Sequence, residues 1–132
     1  MSGASQSFGI PNWPPNIAAK NIKSVQSFVN EGFSAASVQQ LDNAGGAVDV
    51  VNLFTTIDTS GAGAPVAYTL ADGVEGQVKK LVCVAYGDDG VVTPANFASG
   101  TTVTFTAVGQ AVDLAFIAGN WYVTSVLGAT VA

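Results

Sequence analysis

The sequence predicts an all-β domain, an antiparallel and sandwich-like sheet structure preceded by an extended N-terminal arm. Beyond residue 46, short runs of β-branched and aromatic residues alternate with turn formers such as Gly, Asp and Ser. Prolines concentrate before that point. Of the 132 residues, 48% are hydrophobic and only 10% are charged, whereas an average soluble domain carries about 25% charged residues. Such a surface leaves apolar area for another chain to cover, and we expect a trimer.

Residues 1–46 are predicted to form the arm. Three prolines surround Trp13 and favour an extended path. Trp13 either folds back onto its own domain or fills a pocket on a neighbouring chain. Residues 18–29 have apolar spacing that fits a short helix, and their polar composition also fits an irregular segment. Asn43 to Gly46 then mark the boundary to a β domain over residues 47–132.

Strands are predicted along the first half of the β domain. Residues 47–57, 66–70 and 77–86 are the three candidates, because each is rich in strand-forming residues and ends at turn formers. The loop 87–90 is predicted to be a solvated hairpin tip. Pro94 is expected to end the short strand after it.

The clearest pattern is a three-stranded antiparallel meander over residues 101–127. A connection at 107–110 and a two-residue turn, Gly119-Asn120, set a register in which opposed residues share a face. Phe116 is then expected opposite Val123. The predicted core face consists of Val103, Phe105, Val112, Leu114, Phe116, Trp121 and Val123.

The opposite face of this meander is half apolar. A fully solvated face would not need Ile117, Tyr122 and Val126 together. These three residues are therefore predicted to form an oligomer interface with a symmetry mate.

The sequence has few residues in patterns suited to catalysis or to binding a cofactor or metal. We therefore expect no enzyme activity, cofactor or metal. It has no histidine, the commonest general base and metal ligand. Cys83 lies in an apolar run and is expected to be a small buried hydrophobe. No nucleophile, phosphate-loop or metal-ligand motif occurs. Two carboxylate pairs, Asp72 with Glu75 and Asp88 with Asp89, lie in turn segments where acidic residues have local roles.

The charge pattern argues against two classes of partner. A formal charge of −5 argues against nucleic acid, which needs clustered basic residues. The adjacent pair Lys79 and Lys80 is predicted to be a solvated strand end or an edge guard. No apolar run approaches the roughly 18 residues of a membrane-spanning helix. The N-terminus lacks signal-peptide features, so we expect use without export.

A recurring set of turn motifs runs through residues 66–123. They are Leu70-x-Asp72-Gly73, Gly76-Gln77 with Lys79, Val92 to Asn96, Gly100 to Thr102, Val108-Gly109 and Gly119 to Trp121. With these motifs, the segment resembles β-structured modules of virion proteins from tailed bacteriophages, particularly those that infect cyanobacteria and other aquatic hosts.

The resemblance implies a structural protein of the virion, and such proteins are commonly homotrimers. One reading is a capsid decoration, or cement, protein that is made in the host cytoplasm and binds the major capsid protein on the capsid exterior. The alternative is the receptor-binding tip of a tail fibre or spike. The short stretch before the β domain favours decoration, since a fibre needs a long shaft. The arm lies outside the resemblance, and we infer that Phe8, Ile10 and Trp13 anchor it to the capsid. A receptor-binding module would instead expose loop aromatics such as Tyr86 or Phe97.

Overall fold

The computed structural model describes residues 37–132, which fold as an all-β sandwich of ten strands without a helix in that range. This confirms the predicted fold class. The arm residues and the candidate helix at 18–29 lie outside the described residues. The strands are β1 (Val38–Leu41), β2 (Gly46–Val48), β3 (Phe54–Asp58), β4 (Val66–Leu70), β5 (Val78–Ala85), β6 (Gly90–Pro94), β7 (Val103–Phe105), β8 (Ala111–Ile117), β9 (Asn120–Leu127) and β10 (Thr130–Val131).

The strands form two five-stranded sheets. Sheet I has the order β1-β3-β5-β8-β9, and sheet II has the order β10-β7-β6-β4-β2. The first six strands alternate between the sheets, so neighbours within each sheet run in the same direction. Strands after β6 add antiparallel pairs. Both sheets are therefore mixed, and the expectation of purely antiparallel sheets is wrong because the early connections cross between layers.

The core lies between the two sheets. Along most strands every second residue is buried, as expected when one face of a sheet packs on another layer. Trp121 is fully buried and packs edge-on against Phe116, with 5.1 Å between ring centroids. Its indole Nε1 donates to the carbonyl of Ala71 at 2.9 Å, so the one polar atom of the ring is satisfied.

The predicted core face is confirmed, but the predicted meander is wrong. Six of its seven residues are buried, and Val123 packs against them partly buried. However, β7 belongs to sheet II and pairs with β6 and β10, whereas β8 pairs with β5 and β9. Val103 and Phe105 therefore face the others across the sandwich. The alternation of apolar and polar residues predicted correctly which side chains are buried. It does not indicate which strands are neighbours in a sheet.

The β8–β9 hairpin turns one residue earlier than predicted. Its central residues are Ala118 and Gly119, with φ of 52° and 80°, as a type I′ turn requires. Phe116 therefore lies opposite Trp121 rather than Val123. The slip of the register is two positions, which preserves the faces because side chains alternate with a period of two.

Three other expectations change. The strand predicted at 47–57 is two strands, β2 and β3, separated by a loop over 49–53 that passes between the sheets. The loop 87–90 is likewise a crossing from sheet I to sheet II and not a hairpin tip. Strand β1 lies within the range predicted as arm, and it is parallel to β3 at the edge of sheet I.

Candidate functional site

The carboxylates of residues 37–132 all have local partners. Asp72 accepts a hydrogen bond from Asn96 Nδ2 at 2.8 Å, and Glu75 accepts from the backbone N–H of Ala118 at 2.8 Å. Asp88 and Asp89 accept hydrogen bonds within their own loop. The remaining carboxylates are engaged in the same way: Asp42, Asp49, Asp58 and Asp113. Asp72 and Glu75 thus tie their loop to neighbouring turns, whereas Asp88 and Asp89 stabilise their own loop.

The described part of the chain also has few groups that could bind a metal or act as a nucleophile. Residues 37–132 hold no cluster of three or more His, Cys, Asp or Glu side chains that could bind a metal ion. Cys83 is buried on the inner face of β5, as predicted, and burial raises the pKa of its thiol. A search of the same residues finds no helix suited to crossing a bilayer.

An apolar patch lies on the outer face of sheet I. It consists of Val78, Ala115, Ile117 and Tyr122, and we call it the outer patch. Cross-strand pairing lines up Val78 with Ala115 and Ala115 with Tyr122, so three strands contribute one row. Ile117 is 46% exposed and Tyr122 is 40% exposed. Two of the three predicted interface residues therefore lie together on an exposed surface.

Beside the outer patch lies an ion pair. Lys80 Nζ is 2.8 Å from Asp113 Oδ2, and the two residues are directly opposed on β5 and β8. Each side chain is one-third exposed, so the pair adds little stability but fixes charge at one border of the apolar area. The patch is thus apolar at its centre with a paired charge at its edge, which is the usual composition of a protein interface.

Val126 lies elsewhere. A β-bulge between Asp113 and Leu114 shifts the register, so that Val126 pairs with the inward-facing Val112. Val126 is 47% exposed at the end of β9, on the inner side of the sheet rather than beside Ile117 and Tyr122. The predicted interface residues therefore split into the outer patch and the edge of β9.

The edge of β9 is covered along only part of its length. The backbone of Trp121 exchanges hydrogen bonds with Asn96 and Ala98, and Ser99 Oγ accepts from Val123 N–H. These contacts protect the first half of the strand from pairing with another chain. Farther along, Val126 and Leu127 have exposed side chains. The C-terminal half of β9 therefore presents two further exposed apolar side chains.

The two loop aromatics have different environments. Tyr86 is 40% exposed, and its hydroxyl donates to Asp89 Oδ1 at 3.0 Å. Phe97 packs against the core and forms a bridge to Trp121. Only Tyr86 is presented as a receptor-binding surface would require.

A surface cleft of about 490 Å³ lies between the loop at Asn43 and the segment 61–67. Its walls are Ala, Gly, Pro and Val apart from Asn43, without a charged or aromatic side chain. Binding sites for small molecules combine apolar walls with several directed polar groups. This cleft lacks that combination, so we assign it no ligand.

Contrary to the prediction, Lys79 is neither a solvated strand end nor an edge guard. β5 is the central strand of sheet I, and Lys79 is fully buried on its inner face. Its Nζ donates to the backbone carbonyl of Asn52 at 2.6 Å. Burial lowers the pKa of the amine, and the nearby Asp49 carboxylate partly offsets that shift.

A signal for one of these features, the burial of Lys79, was present in the sequence. Lys79 has the same parity as Leu81 and Cys83, so strict alternation along β5 places all three on the inner face. No comparable signal existed for Val78 and Ala115. They join the outer patch only because β5 lies beside β8, a pairing between residues more than 30 positions apart.

Comparisons with known proteins leave the family open. No protein-family model matches the sequence, and no curated protein matches it. The solved structure of a fragment of StcE, residues 132–251, from enterohemorrhagic E. coli is similar to this chain. The match covers 70% of this chain and 95% of the StcE fragment. The sequence identity is 16% and the TM-score is 0.40.

Proposed function

We propose that this protein is a virion structural protein that decorates the capsid exterior as a cement protein. The observation that carries the proposal is the outer patch, an exposed apolar surface on a chain with few charges. Buried apolar area is the main source of association free energy between proteins. A protein with such a face, whose described carboxylates are engaged in hydrogen bonds or an ion pair, is suited to assembly rather than to chemistry. The resemblance of residues 66–123 to virion modules agrees with this role.

In this proposal the outer patch joins copies of the chain into a homotrimer. Val78, Ile117 and Tyr122 would be covered by the neighbouring copy. Covering them removes from water three of the large apolar side chains that the sandwich leaves exposed. Closed rotational symmetry also limits the assembly, so that the exposed face does not lead to open-ended aggregation.

Attachment to the major capsid protein is assigned to the arm, with Phe8, Ile10 and Trp13 as anchors. A packaged genome pushes the shell outward. A trimer that bridges neighbouring capsid subunits adds buried area where they would part, and three arms per trimer multiply a modest contact through avidity. The mechanism is thus mechanical and needs no cofactor.

Cryo-electron microscopy of the virus particles that carry this sequence tests the location. We expect trimeric density of this sandwich over the outer surface of the capsid. Density at the tip of the tail fibres alone would instead favour the receptor-binding alternative, for which exposed Tyr86 is the supporting observation. Absence of the sandwich from purified particles would contradict both roles.

A variant in the arm tests the attachment. Trp13→Ala should lower the number of copies on the capsid and the temperature at which particles release their genome, because a large apolar anchor is lost. Trp13→Phe is the matched control and should retain most of the occupancy. Full occupancy and unchanged heat resistance in Trp13→Ala particles would exclude Trp13 as an anchor.

A further inference from the structure

The buried amine of Lys79 lies against Asn52, whose carboxamide is held by other polar side chains, and none of these groups belongs to the outer patch. Lys79 Nζ donates to the backbone carbonyl of Asn52 at 2.6 Å. The carboxamide of the same Asn52 is held at both ends. Its Nδ2 donates to Asp49 Oδ2 at 2.6 Å, and its Oδ1 accepts a hydrogen bond from the hydroxyl of Ser37.

The loop that carries this carboxamide is fixed from three sides. Gln39 Oε1 accepts from Asp49 N–H at 2.8 Å, and Gln77 Nε2 donates to the carbonyl of Val50. The backbone N–H of Lys80 donates to the carbonyl of Leu53 at 2.8 Å. The loop is therefore held against β5 by contacts that do not depend on the side chains of Asn52 and Lys79, so these two residues stay next to each other.

We propose that Lys79 and Asn52 join in an intramolecular isopeptide bond, with Asp49 as the proton carrier. The amine Nζ attacks Cγ of Asn52, and an Nζ–Cγ bond forms as the Cγ–Nδ2 bond breaks. One proton passes from Nζ through the Asp49 carboxylate to Nδ2, and ammonia leaves. Atoms and charges balance without an oxidant, a reductant or a metal.

Each neighbour has a part in this reaction. Burial lowers the pKa of Lys79 and so favours the neutral amine, the form that is nucleophilic. Hydrogen bonds from Asn52 and Val51 lower the pKa of Asp49, which favours its ionised form. The Ser37 hydroxyl donates to Oδ1, where negative charge develops during the attack. Asp49 contacts the leaving nitrogen Nδ2 itself.

The bond would close a loop between β5 and the segment that crosses between the sheets. Residues 52 and 79 lie 27 positions apart, so the bond constrains the unfolded chain in the way that a disulfide does. A chain with one cysteine has no intrachain disulfide to serve this purpose. The inference does not rest on the proposed capsid role, and either can fail without the other.

Intact-mass measurement of the full chain under denaturing conditions is the primary test. We expect a mass about 17 Da below the value calculated from the sequence, because one ammonia is lost. Chymotrypsin cleaves at aromatic residues such as Phe54 and Tyr68, which lie between the two partners. A digest should therefore yield one branched peptide that contains both Asn52 and Lys79.

Three variants sharpen the result. Lys79→Arg and Asp49→Asn should each restore the full calculated mass of their sequence. Lys80→Arg, which alters the neighbouring lysine in its exposed ion pair, should retain the loss. An Asn52 that cyclises onto its own backbone would also lose ammonia, but that loss would survive Lys79→Arg, and this outcome overturns the proposal.

One measurement on the unaltered chain decides the matter even if the variants do not fold. In denaturant, an amine-acetylating reagent should modify Lys20, Lys23 and Lys80 and leave Lys79 untouched. A full-mass protein in which Lys79 is acetylated with the others would show that the amine is free and that the proposal is wrong.

Discussion

The outer faces of the two sheets differ although the sheets are similar in strand number and connection. Sheet I presents Val78, Ile117 and Tyr122, all large and apolar. Apart from Val91, sheet II presents alanine and threonine side chains at the equivalent alternating positions: Ala47, Ala67, Thr69, Thr93, Thr104 and Thr130. Threonine retains the β-branched shape that suits a strand while its hydroxyl remains hydrated. The contrast supports the proposal that sheet I, rather than sheet II, is the face that another copy covers.

The largest expected effect is on assembly. Ile117→Lys places a charge in the outer patch, where burial against another copy would remove it from water at a cost of several kcal/mol. We expect the mass of the assembly, measured by light scattering, to fall to that of a single chain. Thr93→Lys is the matched control on the outer face of sheet II and should leave the assembly intact.

The opposite result would reverse the comparison. If Thr93→Lys dissociates the assembly and Ile117→Lys does not, sheet II is the contact surface. If neither changes the mass of an oligomer, the contact lies on the edge of β9 or in the arm, and the outer patch loses its assigned role.

The second effect concerns the interior of sheet II, where Tyr68 is almost fully buried and donates to the carbonyl of Asp42 at 2.8 Å. Burial, helped by the negative charges of Asp42 and Asp58, raises the pKa of Tyr68 to about 12. The folded state thus holds this proton more tightly than the unfolded state, whose tyrosine pKa is about 10. The stabilisation is complete below pH 10 and is lost as the pH rises through 12. That loss amounts to roughly 3 kcal/mol.

Urea unfolding at a series of pH values measures this loss. Tyr68→Phe should cost about 1 kcal/mol at neutral pH, because a buried hydrogen bond is removed, and should flatten the decline between pH 10 and 12. Thr69→Val, on the outer side of the same strand, is the control and should leave the decline unchanged. If the Tyr68→Phe protein loses as much stability between pH 10 and 12 as the unaltered protein, other groups cause the decline.

The smallest effect is at the β8–β9 turn of sheet I. Ala118 has φ of 52°, a conformation that costs an alanine roughly 1 kcal/mol and that asparagine adopts more readily. Ala118→Asn creates the preferred Asn-Gly turn and should stabilise the protein by about 0.5 kcal/mol in thermal unfolding. Ala67→Asn, in the middle of β4, should destabilise it, because asparagine is unfavourable in strands. Equal effects at the two sites would show that backbone strain at Ala118 is negligible.

The sequence predicted burial better than topology. Alternation identified Phe105, Leu114 and Trp121 as core residues, because a period of two requires no knowledge of the neighbouring strand. It also predicted the extent of β4 without error. The pairing of β8 with β5 rather than β7 could not be read in the same way, since the strand preferences of β7 are satisfied equally by a partner in either layer.

The residues of the candidate interface were likewise predicted only in part. Ile117 and Tyr122 were identified because a solvated strand face has no need of large apolar side chains. Val126 was assigned to their face and lies on the other, because a single bulged residue reverses the alternation beyond it. Such bulges depend on local hydrogen bonding across strands and leave no clear pattern in one sequence.

The sequence by itself determined the all-β class, the identity of most core residues and the scarcity of charge, since composition and a two-residue period act through local chemistry. Only the tertiary structure decided how the strands share two mixed sheets, because parallel neighbours arise from crossings between layers that no turn motif encodes. The same crossings set Lys79 against Asn52 and bring Val78 beside Ala115. Both proposed sites therefore depend on contacts between residues that lie far apart in the chain.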